Sequence, residues 1–290
     1  MQPLIDTELW LARKRRALSR PVEGSDFLMR RAAEDLADRL GAVERRFDRA
    51  AALFCQTSGA ADVLADSGKV GEIVRVEMDD ALLAGSPGLV APPETVPFEE
   101  GSLDLVVSLL SLHAMNDIPG VLAQIRRALK PDGLFLGALA GAGTLAELRE
   151  SMLAAETELY GGASPRILPF TDVRDAGALL QRAGLALPVA DVETVAVRYD
   201  TLFDLAADLR AMGETSVLVD RSRRPAGRRL FARAAEIYAE RFSDPDGRVR
   251  ASFSVVWMSG WAPDASQQKP LRPGSAKVSL KTVLEDVRKR

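Results

Sequence analysis

A chain of 290 residues, 47% hydrophobic and 27% charged, fits one elaborated globular domain with a core that needs no covalent staples. A net charge of −3 points away from nucleic acid. One cysteine excludes an internal disulfide and any multi-cysteine metal site, and one histidine removes most remaining metal and triad arrangements, so no metal site is expected.

Residues 1–49 read as two helices. The first carries Arg13, Lys14, Arg15 and Arg16, read as a solvated basic face; the second is amphipathic, with Phe27, Leu28, Ala32, Leu36 and Leu40 on one side. No apolar run approaches the ~20 residues of a membrane span. Asp6, Glu8, Glu23 and Asp26 argue against a transit peptide, and no signal-peptide apolar region is present, so a cytoplasmic protein is expected. Ala50–Phe54 is the first expected strand, Ala60–Ala65 the first crossover helix and Glu72–Met78 the second strand. A Gly/Pro-rich loop over Ala84–Pro93 leaves the third strand short and poorly marked.

The clearest stretch runs from Val96 to Leu139. A polar turn, Glu99-Glu100-Gly101-Ser102, leads into a nearly continuous apolar run from Leu103 to Leu112, which suits a strand buried on both faces of a parallel sheet. Val121, Leu122, Ile125 and Leu129 then recur at helical spacing, Lys130-Pro131-Asp132-Gly133 stops the helix, and Leu134–Leu139 is a second buried strand. Beyond it, Thr144–Tyr160 reads as a helix opened by a Thr144/Glu147 capping box, Asp172–Ala183 as another, and Pro188–Tyr199 as a strand by its alternation. Two helical segments follow over Tyr199–Phe242, joined by a loop with Arg221, Arg223, Arg224, Arg228 and Arg229 that reads as a solvated face; Phe253–Trp257 is the last strand. The expected organisation is an N-terminal helical segment (1–49), a core (50–198), a helical insertion (199–249), a last core strand (250–261) and a basic tail (262–290) that packs weakly or folds on binding.

The Val96–Leu139 stretch, with its VPFEEGSLDLVV run, the S-L-H-A-M-N-D segment and the helix ending L-K-P-D-G, resembles the second half of class I S-adenosylmethionine (SAM) dependent methyltransferases. It is most similar to the branch holding the biotin-synthesis carrier-protein methyltransferase and the mitochondrial complex I assembly factor that modifies an arginine. Similarity to the assembly-factor branch extends over YDTLFDLAADLRAMGE (199–214) and GWAPDASQQKPLRPGSAKVSL (260–280).

The resemblance implies an α/β fold: a Rossmann-like, seven-stranded, doubly wound sheet with its last strand antiparallel and a helical insertion before it, roofing the site. It implies SAM as cofactor, held by Cys55, Gly59, Glu77, Met78, Glu94 and Ser108, with His113 and Asn116 as candidate catalytic residues. Glu77 takes the place of the acid that binds both ribose hydroxyls. The usual acid after the first strand falls on Leu53, the first two glycines on Cys55 and Thr57, and the acid facing adenine on Pro92, so SAM is expected to bind weakly, in a changed pose, or not at all. Glycine at 55 and 57 together is expected to strengthen binding. The implied function is methyltransferase-like action on a protein or carrier-bound substrate in respiratory complex I assembly. The alternatives are an arginine hydroxylase of the assembly-factor type and a non-catalytic, chaperone-like assembly protein. A protein substrate or assembly partner is implied, with no nucleic acid and no membrane span.

Overall fold

The structure is a computed structural model and describes residues 2–223 and 226–268. Arg224 of the insertion and the tail from 269 to 290 lie outside the described residues.

Two helices, α1 (Thr7–Ser19) and α2 (Phe27–Gly41), precede the sheet. The strands are β1 (Phe47–Leu53), β2 (Val70–Glu77), β3 (Leu89–Val90), β4 (Leu103–Leu109), β5 (Leu129–Ala140), β6 (Ala186–Tyr199) and β7 (Val249–Trp261). They lie in the order β3-β2-β1-β4-β5-β7-β6, with β7 antiparallel to both of its neighbours and β1 to β5 parallel. The order reverses between β1 and β4, and in an open doubly wound sheet the crevice beyond the carboxyl ends at that reversal is where ligands bind.

Parallel strands must be covered on both faces. Ala50, Ala51 and Ala52 of β1 are buried at 0–1% exposure because helices close over the sheet on either side. On one face α2 and α3 (Gly59–Asp66) bring Leu36 and Leu64 onto Leu105, Val107 and Trp257. On the other, α5 (Ile118–Ala128) and α7 (Val173–Arg182) bring Val121, Ile125 and Leu180 onto Val106 and Phe135. A third cluster joins α6 (Ala146–Tyr160), α8 (Leu202–Ala211) and α9 (Arg228–Phe242) through Leu205, Ile237 and Tyr238 to Phe253. A short helix, α4 (Asp80–Leu83), follows β2.

Two local expectations are corrected. The residues expected to form a capping box, Thr144 and Glu147, face β7 instead: Thr144 Oγ1 donates to Ser254 O and accepts from Ser254 N, and Glu147 accepts from Ser252 N and its hydroxyl. Leu145 stands at α6's start in left-handed backbone with no side-chain cap. Strand β5 begins at Leu129 rather than Leu134, because Leu129 pairs with Leu103 and Lys130 reaches Asp104 at 2.9 Å.

Candidate functional site

Above the carboxyl ends of β1, β4 and β5 lies a cavity of about 630 Å³. Its floor is Gln56, Thr57, Leu110, His113 and Ala140; its roof comes from the α1–α2 segment and from the insertion. Leu18, Met29, Leu148, Met152, Leu209 and Phe231 make the lining largely apolar, the usual make-up of a small-ligand site with few polar groups.

The polar groups converge. Lys14, buried on α1, donates to Met212 O at 3.1 Å, pairs with the Glu214 carboxylate and lies 5.5 Å from the Trp10 ring centroid. Burial alone would raise the pKa of Glu214, but Lys14 and then His113 outweigh it and hold the carboxyl below its ordinary range, so it is charged at neutral pH. Its side chain keeps 27% of its accessible surface although it is enclosed by protein, as befits a group that looks into a cavity. Burial lowers the pKa of His113; Glu214 opposes and Lys14 adds to the effect. His113 Nδ1 accepts from Ala140 N at 3.3 Å, which leaves the proton of the neutral ring on Nε2, and the ring meets Phe170 edge-on at 5.8 Å.

Neither Lys14 nor Glu214 is a sequence candidate. The four-residue basic cluster does not form one solvated face: Arg13 donates to Ser216 O and Lys14 turns inward, while Arg15 pairs with Asp79 from the exposed side. The only sequence signal for Glu214 is its place at the end of the 199–214 stretch shared with the assembly-factor branch. In the insertion, Arg221 is not solvated either, pairing with Asp6 at 3.1 Å.

The structure separates the other candidates. Cys55 is buried between β1 and β4 with Sγ 3.6 Å from Val107 O, and burial pushes its thiol pKa up, so it is a packed small side chain and not a reactive thiol. Ser108 and Met78 are likewise buried below the floor and do not line the cavity. Gly59 opens α3, where a Cβ would come within 3.3 Å of Ala33. Asn116 is turned away from the cavity: Oδ1 accepts from Leu4 N and Ile5 N, both at 2.8 Å, and Nδ2 donates to Ile5 O at 3.2 Å. Glu94 accepts from Asn116 N and so supports that anchor. Both residues tie the segment ahead of α1 to the core, and of the two catalytic candidates only His113 reaches the cavity.

Glu77, at the end of β2, is fully buried and lies outside the cavity lining. Burial pushes its carboxyl up to about 8; Arg75 and the Gln56 and Cys55 amides pull the other way. Arg75 stands 3.7 Å off, and neither carboxyl oxygen makes a hydrogen bond of full geometry among the described residues, although the Gln56 and Cys55 amides lie close enough to oppose the upward shift. Among those residues no cluster of three or more His, Cys, Asp or Glu is placed to hold a metal, and no helix is long and apolar enough to cross a membrane.

The strand order, the reversed β7 and a roofed cavity at the β1/β4 reversal define the methyltransferase class of doubly wound protein. The methyltransferase domain family matches residues 55–137. A candidate methyltransferase of Bacillus halodurans shares the fold, with a TM-score of 0.55 at 14% identity over 79% of this chain and 98% of that one. In sequence, the chain is 39% identical to the mitochondrial arginine-hydroxylase NDUFAF5 of Mus musculus over 88% of this chain and 76% of that protein. It is 38% identical to the human protein of the same name over 88% and 75%. A malonyl-[acyl-carrier protein] O-methyltransferase of Laribacter hongkongensis is 37% identical over 67% and 63%. The chain belongs to the arginine-hydroxylase NDUFAF5 family, within the class I SAM-dependent methyltransferase superfamily.

The mitochondrial relatives overturn the expectation of a cytoplasmic protein. That expectation leaned on acidic residues near the N-terminus, and one of them, Asp6, serves the fold, since it caps α1 by accepting from Leu9 N and pairs with Arg221. Acids kept for packing say nothing about an address.

The match to the methyltransferase domain supports SAM as the cofactor, while the turn after β1 departs from the superfamily's pattern. That turn carries side chains at Cys55 and Thr57, where the superfamily pattern has glycines, and Leu53 offers no acceptor. The left-handed positions are Phe54 (φ 54°) and Gln56 (φ 60°), not Cys55 and Thr57.

Proposed function

We propose that this protein acts in respiratory complex I assembly by taking an arginine side chain of a protein partner into the roofed cavity, with SAM held weakly or not at all. One observation carries the reading: Glu214 is an ionised carboxylate that lines a largely apolar cavity with its partner Lys14 and with His113, at the ligand-binding edge of the sheet. An arginine suits such a site, since its stem can lie along Leu148, Met152 and Leu209 while its planar guanidinium meets a carboxylate. Lys14, tied to Met212 O as well, neutralises Glu214 while the cavity awaits its guest. The names of the relatives support arginine as the target and hydroxylation as the reaction; what these residues supply is binding, orientation and exclusion of water.

SAM-dependent methyl transfer is the second reading, favoured by Glu77 at the carboxyl end of β2. Calorimetric titration of a blocked arginine peptide, with the matched citrulline peptide beside it, tests the first. Arginine should bind, citrulline should not, and Glu214→Gln should weaken arginine by at least about tenfold, the ~1.4 kcal/mol expected for losing a charged hydrogen bond. Equal binding of the two peptides, or no binding of arginine, would overturn it.

A further inference from the structure

We infer that Gln56 bars the switch-point crevice, closing the cofactor half of the site and leaving one cavity where the fold otherwise holds two ligands. The inference rests on the reading that SAM is held weakly or not at all, and gives that loss a cause.

Strands β1 and β4 are the pair at which the sheet order reverses. The turn that leaves β1 and the turn that leaves β4 therefore form the two lips of the crevice. Gln56 belongs to the first and Leu110 to the second. The Gln56 side chain, 8% exposed, crosses between them and its Nε2 donates to Leu110 O at 2.9 Å. Both ends of this clasp sit in left-handed backbone, Gln56 at φ 60° and Leu110 at φ 50°. For residues with a Cβ that conformation costs on the order of 1 kcal/mol each, and it persists only where the surroundings enforce it. The hydrogen bond across the crevice is such an enforcement.

The consequence is visible on both sides of the bar. Above it, Gln56, Leu110 and His113 are floor residues of the cavity. Below it, Glu77 is fully buried outside the cavity lining, and neither of its carboxyl oxygens makes a hydrogen bond of full geometry among the described residues. Burial pushes this carboxyl up to about 8 and keeps it largely protonated at neutral pH, and the bar accounts for its isolation by keeping any partner from reaching it through the crevice. The defect thus centres on residue 56, and glycine at 55 would act on a side chain packed below the floor.

S-adenosylhomocysteine titrated by calorimetry into wild type, Gln56→Gly and Gln56→Ala tests the inference. Glycine relieves the strained backbone at φ 60°, so Gln56→Gly is expected to fold at least as well as wild type, and Gln56→Ala removes the bar while keeping a Cβ. Wild type should show no saturable binding up to about 1 mM, and both variants should gain affinity by at least about tenfold. Micromolar binding to wild type would sink both the closure and the reading that SAM is lost. Silent wild type with silent, folded variants would sink the closure alone. Neither result bears on the arginine titration, which reads Glu214 on the other side of the bar.

Discussion

The turns that leave β1 and β4 stand side by side at the same edge of the sheet and differ in what fills them. After β4 the chain delivers His113 into the cavity from a short 3-10 helix (Leu112–Ala114), backed by an α5 whose apolar face is fully buried. After β1 the chain delivers a clasp: Phe54 and Gln56 in strained backbone, Cys55 packed away and Glu77 sealed below. One lip presents His113 to the cavity, and the other carries the Gln56–Leu110 clasp. On the proposed reading, a fold is kept in full while half of its binding site is turned into wall.

The comparison can be broken hardest from the β4 side. Leu122 is fully buried in α5, and Leu122→Ala should destabilise the protein by about 3 kcal/mol by denaturant titration, against roughly 1 kcal/mol for Cys55→Ala. Near-equal losses would mean that the β1 turn is as tightly packed a part of the core as α5. The roof offers the next test. Lys14→Met leaves Glu214 charged and enclosed, at a cost of roughly 2 kcal/mol once its partial exposure is allowed for, and Lys14→Met with Glu214→Gln should recover most of it. Additive losses in the double-mutant cycle would dissolve the pair as a unit.

The smallest expected effect is a slope. Glu77 is raised in the folded state to about 8, well above its unfolded value, so its contribution is fully present below the unfolded pKa of ~4.3 and is lost as pH rises toward 8. Glu77→Gln should flatten the fall in melting temperature between about pH 5 and pH 8. An unchanged slope would mean that the carboxyl is ionised throughout, with Arg75 sufficient to hold it.

The sheet was legible because its signals are local: continuous apolar runs in β4 and β5, helical periodicity in α5, a glycine at 184 closing α7 in left-handed backbone. The site was legible only in part. Leu53, Cys55 and Thr57 mark the β1 turn as altered, yet which position takes positive φ depends on how the turn packs against β4, and that placed the bar at Gln56. Asn116 carries a residue type suited to chemistry, but its side chain is engaged by Leu4 and Ile5, more than a hundred positions away. Lys14 and Glu214 meet across two hundred residues, and no periodicity or spacing rule reaches that far. The expected Thr144/Glu147 cap failed for the same reason, since β7 offers both side chains better partners.

The strap ahead of α1 also sets an order of assembly. Leu4 and Ile5 are held by Asn116, Asp6 N donates to Val217 O at 2.8 Å, and Val219 N to Leu4 O at 2.9 Å. The strap has no docking place until β4, the insertion and the turns between them are formed, and closing so long a loop carries an entropic cost. The roof over the cavity is thus held by pairings between segments about two hundred residues apart, which its helices and turns do not need in order to form.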